Sequence, residues 1–131
     1  MKRLSLVSFD RKAALIVVPV TIKVGTEIRK YDFAVDTGAT ISLIDADVMT
    51  ALGYKQQNSI RTTHTITASK NETVYEYELD NIMAIGLIRR NFKVISRKLP
   101  MGFGIDGLLG LNFFKNKELT IDFKLSEIQL K

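Results

Sequence analysis

The segment with the clearest chemical potential is the polar pentapeptide Asp36 to Thr40, which directly follows the apolar residues Phe33 to Val35. A carboxylate that emerges from an apolar strand needs an explanation, because burying it without a partner is costly. One explanation is a surface β-turn, in which Asp36 accepts backbone N–H hydrogen bonds and Gly38 takes a positive φ. The other is a catalytic carboxylate that takes up and releases protons. The letters Asp-Thr-Gly alone leave both open.

Alternating apolar residues predict strands on both sides of this turn. A strand is predicted over Ala14 to Val24, followed by a turn at Gly25 and a second strand over Ile28 to Val35. This hairpin ends directly on Asp36. After the turn, Ile41 to Ile44 is also strand-like. The sequence therefore places the carboxylate at the junction of two strands.

A short helix and a protruding hairpin are predicted next. Asp45 is a suitable N-cap for a helix over Ala46 to Leu52, and a glycine follows to end it. Further along, strands over Ile60 to Ala68 and Thr73 to Leu79 flank the polar tip Ser69 to Glu72. The β-branched residues on both sides of this tip favour a hairpin that projects from the body of the domain.

The rest of the chain continues the β pattern. The further predicted elements are Leu4 to Phe9, Asn81 to Ile88, Phe92 to Ile95, a strand from Ile105 that runs into a helical turn ending at Phe114, Leu119 to Phe123, and Ile128 to Leu130. About nine strands and two short helices indicate a closed or partly closed barrel. We expect residues 1–131 to form one domain, because the length suits one sizeable core.

Composition excludes several functional classes. The chain is 46% hydrophobic and 25% charged, which is the balance of a globular protein. With no Cys and a single His, His64, neither a disulfide framework nor a metal centre is expected, and no cofactor is implied. We interpret His64 as a surface histidine. The absence of Cys fits a reducing compartment, so we expect a cytoplasmic protein.

Membrane and nucleic-acid partners are not expected. No stretch approaches the ~18 consecutive apolar residues that span a bilayer. Charged residues at 10–12 interrupt any signal-peptide-like run, so we expect a protein without processing. The net charge of +5 is consistent with phosphate binding, but the densest basic stretch, residues 89–98, partly alternates with apolar residues. Because no aromatic stacking platform accompanies it, we interpret it as a solvated strand face.

The order of these features resembles the retropepsin-like aspartic peptidases, the single-domain relatives of retroviral proteases, over nearly the whole chain. That family combines an Asp-Thr/Ser-Gly-Ala turn with a mobile flap and a late hydrophobic-hydrophobic-Gly strand before a helix. Here Asp36 to Thr40 matches the turn, and the late element lies within Asp106 to Phe114. The resemblance implies an all-β acid-protease half-barrel with one or two short helices, completed as a homodimer.

The resemblance assigns a role to each residue of the turn. Asp36 matches the catalytic carboxylate, and Thr37 matches the residue whose hydroxyl ties two active-site loops together. Gly38 allows close approach of the backbone to its partner, and Ala39 belongs to the same supporting loop. The hydroxyl of Thr40 is expected to bond the outer oxygen of Asp36.

Two further groups of residues follow from the resemblance. The flap and substrate-binding residues would be Ala68, Ser69, Lys70 and Asn71. The strand that supports the catalytic loop would be Leu108, Leu109 and Gly110. The flap tip lacks the glycines of many relatives, and Asn112 replaces the family's usual acidic residue. We expect the Asn112 replacement to affect only the start of the helix.

One catalytic motif per chain implies that two chains make one site. Peptide hydrolysis by this route needs one carboxylate as general base and one protonated carboxyl as general acid, and two carboxyls about 3 Å apart share one proton. Asp106 lacks a following Thr-Gly and is predicted to open the Leu108 strand instead. We therefore predict a homodimeric aspartic endopeptidase that cuts peptide or protein substrates with two copies of Asp36. The terminal strands, Leu4 to Phe9 and Glu127 to Leu130, are candidates for pairing between chains.

Two other functions stay open. A non-catalytic peptide-binding module on the same fold would keep the cleft without cleaving. A basic β-barrel could instead bind nucleic acid in the manner of an OB-fold. The intact turn at Asp36 argues against both, since neither needs a carboxylate there.

Among the remaining residues, four are expected to be core aromatics: Phe103, Phe113, Phe114 and Phe123.

Overall fold

A computed structural model describes residues 5–66, 71–100, 102 and 104–131 of the chain. These residues form ten strands and two short α-helices, which confirms the predicted all-β class. The strands are β1 (Leu6–Ser8), β2 (Val17–Val24), β3 (Glu27–Val35), β4 (Leu43–Asp45), β5 (Arg61–Ile66), β6 (Asn71–Ala84), β7 (Leu87–Arg97), β8 (Gly107–Leu109), β9 (Leu119–Asp122) and β10 (Glu127–Leu130). The helices are α1 (Ala46–Ala51) and α2 (Leu111–Phe114), and a 3₁₀ turn spans Gln56–Asn58.

A seven-stranded sheet forms the body of the molecule, in the order β2-β3-β8-β4-β7-β6-β5. Strand β2 also pairs with β6, so the sheet folds back on itself into a partly closed barrel. The predicted partly closed barrel is confirmed. Apolar side chains that alternate along the strands fill its interior, among them Val18, Phe33, Ile44 and Leu109, all fully buried. None of the helices in the described ranges is long and apolar enough to cross a membrane.

Strand β6 contributes opposite faces to the core in its middle and at its end. Tyr77 and Leu79 are buried in the middle of β6, whereas Ile82 and Ala84 are buried at its end. Successive side chains of a strand point to opposite faces. The buried face therefore changes between Leu79 and Ile82. Strand β6 pairs with β5 before this change and with β2 after it.

The turn of this hairpin falls at Ile85 and Gly86, which have φ angles of 50° and 73°. Two positive φ angles are the requirement of a type I′ hairpin turn. The prediction of one strand over Asn81 to Ile88 was wrong, because it runs across this turn. Ile85 is an unusual residue for a left-handed conformation, but its side chain is buried, and that burial offsets the conformational cost.

A second, three-stranded antiparallel sheet joins the two ends of the chain in the order β1-β10-β9. Val7 lies opposite Ile128, so the terminal strands pair with each other within one chain. The expectation that both are free for pairing between chains was wrong, since β10 is the central strand. Only β1 and β9 have an outer edge in this part of the structure.

The aromatic residues divide between core and surface. Phe113 and Phe114 are buried, as predicted. Phe103 lies outside the described residues. The prediction for Phe123 was wrong: its side chain is 72% exposed just beyond β9. Its ring meets Phe9 edge-on with centroids 6.3 Å apart, which places both rings at the rim of the terminal sheet.

Candidate active site

The turn that carries Asp36 connects β3 to β4 and lies against the end of β8. Strand β3 runs parallel to β8, with Val35 opposite Leu109, and β8 runs antiparallel to β4. The backbone N–H of Asp36 donates a hydrogen bond to the carbonyl of Leu109 at 2.9 Å. The first residue of the turn is thus held by the supporting strand that the sequence predicted.

Hydrogen bonds within the turn orient the carboxylate. The N–H of Gly38 donates to Oδ1 of Asp36 at 3.0 Å, and the N–H of Ala39 donates to the carbonyl of Asp36 at 3.1 Å. A Cβ on Gly38 would lie 3.2 Å from Oδ1. The φ angle of Gly38 is not positive. The proximity of Oδ1, and not a left-handed backbone, therefore favours glycine here.

The turn presents polar groups to its outer side. Asp36 is half-buried, whereas Thr37, Gly38 and Thr40 are exposed. The expected hydrogen bond between the hydroxyl of Thr40 and Asp36 is not formed within the described residues. The carbonyl of Thr40 instead accepts the N–H of Asn112 at 3.3 Å. One carboxylate oxygen of Asp36 is therefore held by Gly38, and the exposed side of the turn has room for a partner or a substrate.

Two glycines bring β8 unusually close to its neighbours. A Cβ on Gly107 would lie 2.5 Å from the carbonyl oxygen of Leu43 and 2.6 Å from the ring of Phe33. A Cβ on Gly110 would lie 2.6 Å from the carbonyl oxygen of Ala39. Real Cβ atoms essentially never show such distances. The predicted support residue Gly110 lies directly beneath the turn. At the other end of β8, Gly107 allows the same close approach to Leu43 and Phe33.

Ser42 and Asn112 are two residues of the site that sequence reasoning missed. Ser42 is fully buried two residues after the turn, and both its N–H and its hydroxyl donate to Oδ1 of Asn112 at 2.8 Å. The expectation that Asn112 affects only the helix start was wrong. A signal existed in the sequence: a serine inside an apolar strand requires a polar partner when buried.

The flap can be compared with its prediction only in part. Ala68, Ser69 and Lys70 lie outside the described residues. Asn71 opens β6 opposite Ile66, and the two arms of the hairpin pair from there to Arg61 and Glu76. The predicted hairpin is present along these arms, and the substrate-binding role of its tip stays a prediction.

Asp106 does not form a pair with Asp36. Its Oδ2 accepts the N–H of Asp32 at 3.0 Å, and its own N–H donates to the carbonyl of Asp32 at 2.8 Å. Asp32 lies in β3 and Asp36 directly follows that strand, so the two are four positions apart, or roughly 13 Å in an extended chain. Asp106 directly precedes β8 and is too distant to share a proton with Asp36.

A cavity of about 350 Å³ lies between α1 and the β6–β7 hairpin. Met49, Tyr54, Tyr77 and Arg97 are among its lining residues, and no residue of the Asp36 turn is. Burial raises the pKa of Tyr54, with a smaller contribution from Asp80, and burial likewise raises the pKa of Tyr77. Both phenols are therefore neutral around pH 7.

The ranges that the structure describes contain no group of three or more His, Asp and Glu side chains arranged to hold a metal ion.

Comparisons with known proteins agree with this geometry. The family model for aspartyl proteases matches residues 18–113, which include the Asp36 turn, β8 and most of α2. No curated protein sequence matches the chain significantly. Among solved structures, the chain is similar to a retropepsin-like aspartic protease from Rickettsia conorii, with a TM-score of 0.71 and 20% identity over 95% of this chain and 87% of that one. At this identity the likeness concerns the fold.

Proposed function

Because this chain belongs to the aspartyl protease family, we propose that it is a homodimeric aspartic endopeptidase whose site is formed by Asp36 from each of two copies. The observation that carries the proposal is the position of Asp36. It lies in an exposed turn that is hydrogen-bonded to Leu109 behind it, and the candidate partner within the chain, Asp106, is bonded to Asp32 instead. A second carboxylate would then come from a second copy.

The proposed reaction needs no group other than the two carboxyls and a water molecule. The ionised Asp36 of one copy takes a proton from the water, which attacks the scissile carbonyl carbon. The protonated Asp36 of the other copy donates to the carbonyl oxygen. The Asp36 that took the water's proton then donates it to the amine nitrogen, the C–N bond breaks, and the other Asp36 takes back a proton from a hydroxyl of the tetrahedral intermediate, which restores one shared proton. The single proton that two close carboxyls share supports this division of roles.

Exposed apolar side chains support an association of two copies. Leu6, Phe123 and Leu125 are 47%, 72% and 59% exposed, and all three belong to the terminal sheet or its connecting loop. Burying apolar area between copies would contribute about 25 cal/mol for each Å² removed from water. We propose that this face of the terminal sheet is part of the dimer interface, with Thr37 and Gly38 of the two turns facing each other.

The proposed substrate is an extended peptide or protein segment. A peptide that lies over the two turns as an added strand would be recognised through its backbone and through pockets for alternate side chains. The β5–β6 hairpins would cover it from the other side. The absence of cysteine is consistent with a reducing compartment, and we propose a cytoplasmic location on that ground.

Subunit mixing tests the shared site directly. Asp36→Asn keeps the shape of the side chain and removes its ability to exchange a proton, so the variant should form dimers without activity. When wild type is refolded with an equal amount of this variant, about a quarter of the dimers are fully wild type if pairing is random. Hydrolysis of a peptide library per wild-type chain should then fall to about half, because mixed dimers have one carboxylate.

Asp32→Asn is the matched control. Asp32 is exposed on β3, four positions before Asp36, and its substitution should leave hydrolysis unchanged in pure and mixed samples. Activity per wild-type chain that does not change on mixing with Asp36→Asn would show that each chain holds a complete site. A folded, dimeric wild type that binds peptides and never cleaves them would instead favour the non-catalytic binding module.

A further inference from the structure

We propose that Asn112 and Ser42 form a positioning pair that holds the Asp36 turn at the spacing needed for catalysis. The inference rests on the proposed function and goes beyond it, because neither residue touches the reacting atoms. Ser42 lies two residues after the turn and Asn112 lies in α2, and the two residues are 70 positions apart in the sequence. A side-chain contact over such a separation exists only in the folded chain.

The two side chains satisfy each other's hydrogen-bonding groups. Oδ1 of Asn112 accepts both the N–H and the hydroxyl of Ser42, each at 2.8 Å. The hydroxyl of Ser42 in turn accepts the N–H of Gly110 at 2.9 Å. Nδ2 of Asn112 donates to the carbonyl of Lys93 in β7 at 2.8 Å. One amide group thus links the strand after the turn, the glycine beneath the turn and the neighbouring strand β7.

The backbone carries this link to the turn itself. The N–H of Leu111 donates to the carbonyl of Ala39 at 2.8 Å, and the N–H of Asn112 donates to that of Thr40 at 3.3 Å. The carbonyl of Ser42 accepts the N–H of Ile95 at 2.9 Å. The second half of the turn is therefore bonded to α2 on one side, and Ser42 is bonded to β7 on the other. Loss of the Asn112 amide would release Ser42 and shift the turn relative to β8.

The pair requires both a donor and an acceptor at position 112. Leucine has a similar size to asparagine but offers neither, so Asn112→Leu would leave the Ser42 N–H and the Lys93 carbonyl without their partner. Aspartate keeps the acceptor for Ser42 and loses the donor to Lys93. Ser42→Ala removes the hydroxyl and keeps the backbone bond to Asn112. Asn112→Leu therefore removes every bond of the Asn112 side chain, Asn112→Asp removes only the bond to Lys93, and Ser42→Ala removes only the bonds of the Ser42 hydroxyl.

The experiment compares kcat and KM of the dimeric protein and its variants on one peptide substrate. A misplacement of about 1 Å in an active site lowers the rate by about 100-fold. Asn112→Leu should therefore lower kcat by about 100-fold with little change in KM, because the substrate contacts are not removed. Asn112→Asp should lose much less activity than Asn112→Leu, because it keeps the acceptor for Ser42. Ser42→Ala should lower kcat by about 10-fold. Asn58→Ala, which removes a side-chain bond to Lys55 N–H away from the site, should have no effect on kcat.

Amide hydrogen exchange in the same samples separates this inference from the proposed function. Asn112→Leu should accelerate exchange at Asp36 and Leu111, while amides in the β2–β3 hairpin keep their protection. Unchanged kcat and unchanged exchange in folded Asn112→Leu would overturn the positioning role, and if that variant fails to fold, the same result for Ser42→Ala would do so. Wild-type protein that lacks hydrolytic activity would refute the proposed function, and the exchange result would still decide whether the pair holds the turn.

Discussion

The Asp36 turn and the terminal sheet of β1, β9 and β10 belong to one chain but are stabilised in opposite ways. The turn is held by backbone hydrogen bonds to Leu109, Leu111 and Asn112, and by close approach of the backbone at Gly110. The terminal sheet buries Ile128 and Leu130 on its inner side. Its rim leaves large apolar side chains in solvent, among them Phe123 and Leu125.

This difference matches two physical requirements of the proposed site, in which two copies each contribute a carboxylate. Proton transfer between two carboxyls depends on distances of about 3 Å, which directional hydrogen bonds can hold and apolar contacts cannot. Association of copies depends on apolar area removed from water, which is non-directional. The chain thus combines directional contacts at the turn with exposed apolar area at the sheet that joins its ends.

The largest effect is expected at Gly110. Alanine there would place its Cβ 2.6 Å from the carbonyl oxygen of Ala39 and 2.9 Å from the carbonyl carbon of Ile41. Because both atoms belong to the backbone, Gly110→Ala should lower the free energy of unfolding by about 3 kcal/mol in urea denaturation. Gly25→Ala is the control: Gly25 has a φ of 58° with open space around it, and its cost should be about 1 kcal/mol.

Equal losses at Gly110 and Gly25 would show that the backbone near the turn can move easily. The contrast between a closely packed turn and the rest of the molecule would then have no physical basis.

An intermediate effect is expected at the rim of the terminal sheet. The double variant Phe123→Ser with Leu125→Ser should keep the stability of the single chain, because both side chains are largely exposed. If this rim lies in the dimer interface, its Kd for dimer formation should rise by about 10-fold or more in sedimentation experiments. Ile28→Ser is the matched control, since Ile28 is 63% exposed at the start of β3, outside the terminal sheet. If Ile28→Ser weakens the dimer as much as the double variant does, the interface does not lie specifically at the terminal sheet.

The smallest effect is expected at an exposed ion pair on the body of the domain. Lys98 Nζ lies 3.5 Å from Asp47 Oδ2, and both side chains are mostly in solvent. A double-mutant cycle with Lys98→Ala and Asp47→Ala should give a coupling of about 0.5 kcal/mol or less. A coupling as large as the loss at Gly110 would mean that surface charges, and not the contacts at the turn, dominate the stability of this region.

Local sequence patterns predicted the elements that flank Asp36 well. The hairpin of β2 and β3 turns at Gly25, and α1 starts after Asp45, whose Oδ2 accepts the N–H of Asp47 at 3.2 Å. These features depend on residues close in sequence. The hairpin turn at Ile85 was missed because an isoleucine normally indicates a strand, and only its burial in the barrel stabilises a positive φ there.

The sequence by itself determined the Asp-Thr-Gly turn, the alternation that makes a β-barrel, and the single Asp-Thr-Gly motif on which the proposal of a second copy rests. The tertiary structure decided three further features: that Asn112 meets Ser42, that β10 lies between β1 and β9, and that Phe123 lies at the surface. Each depends on which distant strands become neighbours. Side-chain alternation tells which face of a strand is apolar, but not which partner covers that face, because the partner is chosen by the path of the whole backbone.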